Sequence, residues 1–180
     1  MVHAFHIDNG KVSYINRWMR TVKWLKEHEA GEALFPSGMD PTDTDPSVQG
    51  LKTDGLANTS IVSHAGKLFA LEEAHAPFEF DPFTLESIGS HTFDSKLQGP
   101  VTAHPKIDPV TGELLFFGYM ADGFFSDTIR YTSVSKDGNI SKSELIKAPF
   151  PSMVHDFFAT EHYIIIPVFP LTGDFERVIN

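Results

Sequence analysis

VTAHPKIDPVTGELLFFGY, residues Val101 to Tyr119, is the stretch that decides the fold. It sets His104 ahead of a proline, turns at Asp108-Pro109-Val110-Thr111-Gly112, and enters an apolar strand from Leu114 to Tyr119. Pro105 fixes its own φ and keeps His104 extended, because the αR region would clash with the ring. An imidazole held extended before a rigid turn is well placed to be a ligand. From this stretch alone, a solvated loop histidine remains the ordinary alternative.

A second stretch, PSMVHDFFATEHYIIIPVFP from Pro151 to Pro170, repeats the arrangement, with His155 at the head of an apolar run. The two histidines are 51 positions apart, and about four strands lie between equivalent points. Four strands in roughly 40 to 50 residues make one blade of a β-propeller. On that reading His104 and His155 occupy like places on successive blades and point at the central axis, where a metal could sit. The likeness of Asp81-Pro82-Phe83-Thr84-Leu85-Glu86 to Asp108-Pro109-Val110-Thr111-Gly112-Glu113 adds a weak internal repeat. The alternative is an antiparallel sandwich with two unrelated histidines.

The rest of the chain reads as strand and turn. Val2 to Ile7 and Lys11 to Trp18 flank Asn9-Gly10, a strong hairpin signal. Thr21 to Ala30 is the one helix candidate, with Trp24, Leu25 and His28 along it. Gly31 to Gly55 is rich in Gly, Pro, Asp, Thr and Ser and reads as a long irregular loop. Strands are expected at Ser60 to Ser63, Lys67 to Glu72, Pro77 to Phe80, Leu85 to Phe93, Leu114 to Met120, Thr128 to Ser135, Ile140 to Lys147, Val154 to Thr160 and His162 to Phe169. The expected fold is therefore all-β, a partial β-propeller of about three to four blades, with a short helix and a long loop near the N-terminus. One domain over residues 1–180 fits the length, and both ends read as cut.

Composition narrows the chemistry. With 41% hydrophobic residues the chain can bury a core, and no apolar run reaches the roughly eighteen residues that span a bilayer. The net charge of -10 argues against nucleic acid as a partner, since such binders need a basic stripe. Without cysteine there is no disulfide, zinc-thiolate site or cysteine nucleophile. A metal would have to be held by His and carboxylates, which suits iron, manganese or zinc. The absence of a signal-peptide pattern points to a cytoplasmic protein. Nothing in the sequence points to an oligomeric state.

Several blocks of the chain resemble the carotenoid cleavage oxygenase family, the carotenoid and lignostilbene dioxygenases. They are Thr102-Ala103-His104-Pro105-Lys106 with Asp108-Pro109-Thr111-Gly112-Glu113, Phe117-Gly118-Tyr119, and Met153-Val154-His155-Asp156-Phe157. Asn58-Thr59, His64 to Leu68, Ala70-Leu71-Glu73, Met1 to Ala4, and Tyr14 with Asn16-Arg17 add to them. The resemblance covers nearly the whole chain. It implies a seven-bladed propeller and a non-haem Fe(II) held by four histidines, one from each of four blades. His104 falls on the first ligand and His155 on the second. The third and fourth belong to blades outside this sequence, so residues 1–180 alone are expected to bind iron poorly and be inactive. Glu73 matches a glutamate that orients a ligand, here His155; a solvated hairpin-end charge is its ordinary reading.

The resemblance also implies an activity: oxidative cleavage of a carbon–carbon double bond in a carotenoid, apocarotenoid or stilbene-like substrate, with dioxygen, to two carbonyl products. Aromatic side chains line the substrate path in this family, and Phe124 and Phe125, on the Gly123 loop, are the candidates here. Stilbene-cleaving members place a lysine before the orienting glutamate to meet a phenolic oxygen. This chain has Glu72 there, so 4-hydroxystilbenes are expected to be poor substrates. A substrate that lives in membranes would call for a peripheral membrane contact in the complete protein, and no amphipathic helix here would serve it. Two other readings stay open: a non-catalytic β-propeller binding module, and a lactonase-type propeller hydrolase. The hydrolase would need Glu, Asp and Asn at inner-strand starts, where this chain offers His104 and His155. Outside the helix candidate, which carries His28, the other histidines, His3, His6, His64, His75, His91 and His162, read as packed or solvated.

Overall fold

The structure, a computed structural model, describes residues 1–36, 44–53, 55–170 and 172. In chain order its elements are β1 (Val2–Asp8), β2 (Lys11–Arg17), α1 (Val22–Ala30), β3 (Ser60–His64), β4 (Lys67–Leu71), β5 (Phe78–Phe80), β6 (Ser87–Ser90), β7 (Lys106–Ile107), β8 (Leu114–Tyr119), β9 (Thr128–Val134), β10 (Ile140–Lys147), β11 (Phe158–Ala159) and β12 (Ile164–Ile165). They form four antiparallel sheets: a hairpin β1-β2, a four-stranded meander β3-β4-β5-β6, a second meander β7-β8-β9-β10, and a short pair β11-β12. Each strand pairs with its sequence neighbour, the up-and-down pattern of propeller blades.

The Leu114–Tyr119 run explains how the sheets stack. Every residue from Leu114 to Gly118 is buried, unlike a strand with one wet face. Leu114 and Phe116 turn one way, into a core shared with Phe93, Val101, Val134 and Val62 of the preceding blade. Leu115 and Phe117 turn the other way, onto Val154, Phe157 and Ile164. A period of two carries successive side chains to opposite faces, so one apolar strand feeds two inter-sheet cores. A third core, from Val2, Met19, Ala70, Phe78, Phe80 and Leu85, seats the β1-β2 hairpin against the first meander. Each fully buried Phe or Leu contributes about 1.5–3 kcal/mol, so these cores dominate stability.

The local signals act as their chemistry requires. Asn9 and Gly10 both take positive φ (47° and 75°), the pair of left-handed residues that a tight hairpin turn needs. Thr21 caps α1 by accepting the Trp24 N–H at 3.2 Å, and Gly31 ends it in the αL region. Of the loop expected from Gly31 to Gly55, residues 37–43 and 54 lie outside the described residues. The rest includes a 3-10 turn at Pro46–Val48.

Two sequence readings need correction. The Asp81 and Asp108 segments share a turn, each carboxylate accepting the backbone N–H groups two and three residues on. One turn joins β5 to β6 and the other β7 to β8, so the repeat reflects Asx-turn chemistry and not equivalent blade positions. The strands expected from Val154 to Thr160 and from His162 to Phe169 pair only at Phe158–Ala159 and Ile164–Ile165. Val154 and Phe157 are core anchors in irregular backbone around His155.

Candidate metal centre

His104 lies two residues before β7 and His155 three residues before β11, so each stands at the start of the first strand of its sheet. Cross-links hold these strand starts side by side. Ser60, opening β3, donates its hydroxyl to the Ala103 carbonyl, and Thr102 Oγ1 lies 3.5 Å from the His155 carbonyl. Thr102 Oγ1 also accepts the His104 N–H at 3.1 Å, and the Thr102 N–H donates to the Phe117 carbonyl at 2.7 Å. The backbone carrying His104 is therefore pinned to β8.

The two imidazoles converge. His104 Nε2 and His155 Nε2 stand 3.0 Å apart, with the rings at 68° and their centroids at 4.6 Å. On the far side of His155, Nδ1 lies 3.0 Å from Glu73 Oε2. An ionised carboxylate only accepts, so His155 Nδ1 carries the proton and its Nε2 presents a lone pair. Glu73 sits just past β4, with its side chain 23% exposed against 61% for His155. The glutamate is the sheltered member of that pair.

Glu72 turns to a different partner. Its Oε1 accepts from His75 Nδ1, and His75 Nε2 lies 3.1 Å from Thr53 Oγ1. A Cβ at Gly55 would come within 2.6 Å of the same oxygen, so Gly55 lies close over this carboxylate. Tyr119, at the end of β8, has its phenol pushed up to about 12 by burial and by the negative charges of Glu73 and Glu72. It stays protonated across the ordinary pH range and so keeps an O–H to donate.

A second link parallels the histidine pair. Lys106 Nζ contacts Asp156 Oδ1 at 2.8 Å, and the same oxygen accepts the Phe157 N–H at 2.8 Å. Burial works against ionisation of Asp156, but the Lys106 hydrogen bond, the Phe157 N–H, and the charges of Lys106 and His104 outweigh it and hold its carboxyl below the usual range. This ion pair joins residues 50 positions apart, and no sequence signal announced it. A cavity of about 730 Å³ opens beside it, lined among others by Lys106, Leu115, Asp156 and Phe157. Phe124 and Phe125 do not line that cavity. Their rings meet tilted, centroids 4.4 Å apart, in the loop between β8 and β9, with Phe124 56% exposed.

The remaining histidines separate from the pair. His64 is buried and ties the end of β3 to the Ser135 carbonyl at 2.8 Å. His91 packs on Phe69 and Phe93 and meets Glu79 at 2.9 Å. His3 meets the Tyr14 hydroxyl, and His162 lies near Glu161. Among the described residues, no group of three or more His, Cys, Asp or Glu forms a cluster that could hold a metal ion. The donor set nonetheless fits a divalent transition metal at His104 and His155. Two imidazoles at right angles on one ion, each about 2.1 Å away, hold their nitrogens about 3 Å apart. One imidazole already has its tautomer fixed by a carboxylate, the usual companion of a ligating histidine.

Comparison with known proteins places the chain. It is 39% identical to the isoeugenol monooxygenase of Pseudomonas nitroreducens, over 99% of this chain and 37% of that protein. The crystal structure of Pseudomonas brassicacearum lignostilbene dioxygenase superposes with a TM-score of 0.90 at 39% identity, over 98% of this chain and 36% of the other. Cobalt-substituted Synechocystis apocarotenoid oxygenase superposes with a TM-score of 0.76 at 25% identity, covering 91% and 36%. The chain thus spans a little over a third of the length of these relatives. The family model described as retinal pigment epithelial membrane protein matches residues 1–180. Sequence, sheet topology and these likenesses agree, and the chain belongs to that family, the carotenoid cleavage oxygenases.

Proposed function

We propose that the protein carrying this chain is a non-haem iron(II)-dependent oxygenase that cleaves a conjugated carbon–carbon double bond. The carrying observation is the convergence of His104 Nε2 and His155 Nε2 at 3.0 Å, at like positions of successive sheets, with Glu73 on His155 Nδ1. His104 and His155 would hold the metal, with further ligands from sequence outside residues 1–180. Bound there, iron(II) would supply dioxygen activation beside the alkene. The chain's own residues bind and orient. Glu73 keeps the His155 proton on Nδ1 and so keeps Nε2 free to ligate. Thr102 and the Lys106–Asp156 pair fix the two histidine segments, and the apolar cores behind them keep the site rigid.

In the reaction one C=C bond breaks, each carbon takes one atom of dioxygen, and two carbonyl products leave. Two relatives are named for aryl alkenes and one for an apocarotenoid, which supports a conjugated, largely apolar substrate. If the substrate reaches the position before Glu73, Glu72 would argue against a phenolate there, because an ionised carboxylate repels it and offers no donor. The favoured substrate is therefore a non-phenolic aryl alkene or an apocarotenoid. Histidines at the inner-strand starts, in place of carboxylates, speak against a lactonase-type hydrolase, and their convergence on one point speaks against a binding module.

The test is to purify the complete gene product and measure iron, oxygen uptake and carbonyl products with 4-methoxystilbene, 4-hydroxystilbene and an apocarotenal. One iron per chain and one dioxygen consumed per alkene cleaved are expected. A protein without iron that consumes no oxygen with any of them would refute the reading.

A further inference from the structure

We propose that the Lys106–Asp156 ion pair is a clasp that sets the spacing of the two metal-binding histidines, making Lys106 and Asp156 positioning residues. The inference rests on the metal reading above.

The geometry carries it. Lys106 follows His104 by two residues and opens β7. Asp156 follows His155 directly. The 2.8 Å contact between Nζ and Oδ1 therefore runs from one histidine segment to the other, alongside the 3.0 Å Nε2–Nε2 approach. On the other flank the segments are joined by Thr102 Oγ1 and the His155 carbonyl at 3.5 Å, a marginal hydrogen bond. The ion pair is the stronger bridge.

Both ends of the clasp are anchored. Asp156 is folded back by the Phe157 N–H, and the Phe157 ring is buried against Phe117 at 5.2 Å. Lys106 lies in register with Leu115 across β7-β8, and its ammonium stands 5.5 Å from the Phe157 ring centroid. In the free protein one Nε2–H can donate to the other Nε2 across 3.0 Å, but a metal needs both lone pairs free, and something must then hold the two rings at ligating distance. The ion pair supplies that hold and also occupies the carboxylate of Asp156, the sequence neighbour of His155, keeping it from competing for the metal.

The side chains of Lys106 and Asp156 are 36% and 51% exposed, so the pair adds little to global stability. This separates positioning from folding. The test uses the metal-stripped complete gene product and cobalt(II) as the probe, read by affinity and by the visible d–d spectrum. Lys106→Met and Asp156→Asn should each weaken cobalt binding roughly 10-fold or more and change the d–d band. The thermal midpoint should stay within a few degrees of wild type. The double variant should be no worse than either single one, because the pair acts as a unit, and Lys106→Arg should restore affinity and spectrum. Wild-type affinity and spectrum in the single variants would overturn the clasp, as would fully additive losses. Wild-type protein that binds no cobalt would overturn the metal reading, and the clasp with it.

Discussion

Gly118→Ala is the sharpest test of the packing beneath the site. Gly118 sits in β8 with ordinary strand backbone, so its role is space and not conformational freedom. A Cβ there would lie 2.1 Å from the Pro100 carbonyl oxygen and 2.7 Å from Pro100 C and Cγ. A carbon–oxygen contact needs about 3.3 Å, so the Pro100 backbone must retreat by about 1.2 Å. That motion strains the neighbouring bond from the Thr102 N–H to the Phe117 carbonyl, where Thr102 is 2% exposed. Overpacking costs about 1–3 kcal/mol and a buried orphaned donor about 1–3 kcal/mol, together roughly 2–6 kcal/mol. Thr102 also positions His104 through its Oγ1, so the displacement reaches the proposed metal ligand two residues on. A misplacement of about 1 Å lowers turnover on the order of 100-fold. Denaturant unfolding and oxygen uptake of the complete gene product would measure both effects. A variant within about 0.5 kcal/mol of wild type and fully active would refute the close approach.

Further outcomes follow from single contacts. Glu73→Gln should keep the fold and weaken metal affinity or turnover roughly 10- to 100-fold, and unchanged values would return Glu73 to an ordinary surface charge. With Glu72 in place, 4-hydroxystilbene should be cleaved more slowly than its 4-methoxy ether; Glu72→Lys should narrow or invert that order, and an unchanged ratio would remove Glu72 from the substrate wall. Burial opposes ionisation of Glu27, but hydrogen bonds from Lys23 and from the Phe35 and Leu34 N–H groups outweigh it and lower its carboxyl. Its folded value lies below the unfolded one, so its stabilisation is complete above about pH 4.3 and fades as pH falls through the folded value. The stability gap between wild type and Glu27→Gln should therefore be widest near neutrality and close in acid, and a gap independent of pH would contradict this.

The legible parts of the sequence were those written in local chemistry. Asn9-Gly10 closed the first hairpin, and the short apolar run after Gly112 became a strand buried on both faces. Spacing, together with the family resemblance, placed His104 and His155 at matching strand starts. What escaped depended on contacts between distant residues. Val154 and Phe157 read as strand because they are apolar and alternate with neither turn nor glycine, yet they anchor irregular backbone in a core. The Lys106–Asp156 pair spans 50 positions and has no local signature. His75 and His91 looked like loop residues because their partners, Glu72 and Glu79, are read only in three dimensions. The role of Gly118 did have a signal: a glycine inside an apolar strand marks a close backbone approach.

Metal content of the complete gene product, wild type beside His104→Ala and His155→Ala, tests the central claim most directly. Wild type should hold one iron per chain, and both variants should hold almost none while keeping wild-type far-UV circular dichroism. Full iron occupancy in either folded variant would contradict the assignment of the converging histidines as the metal ligands.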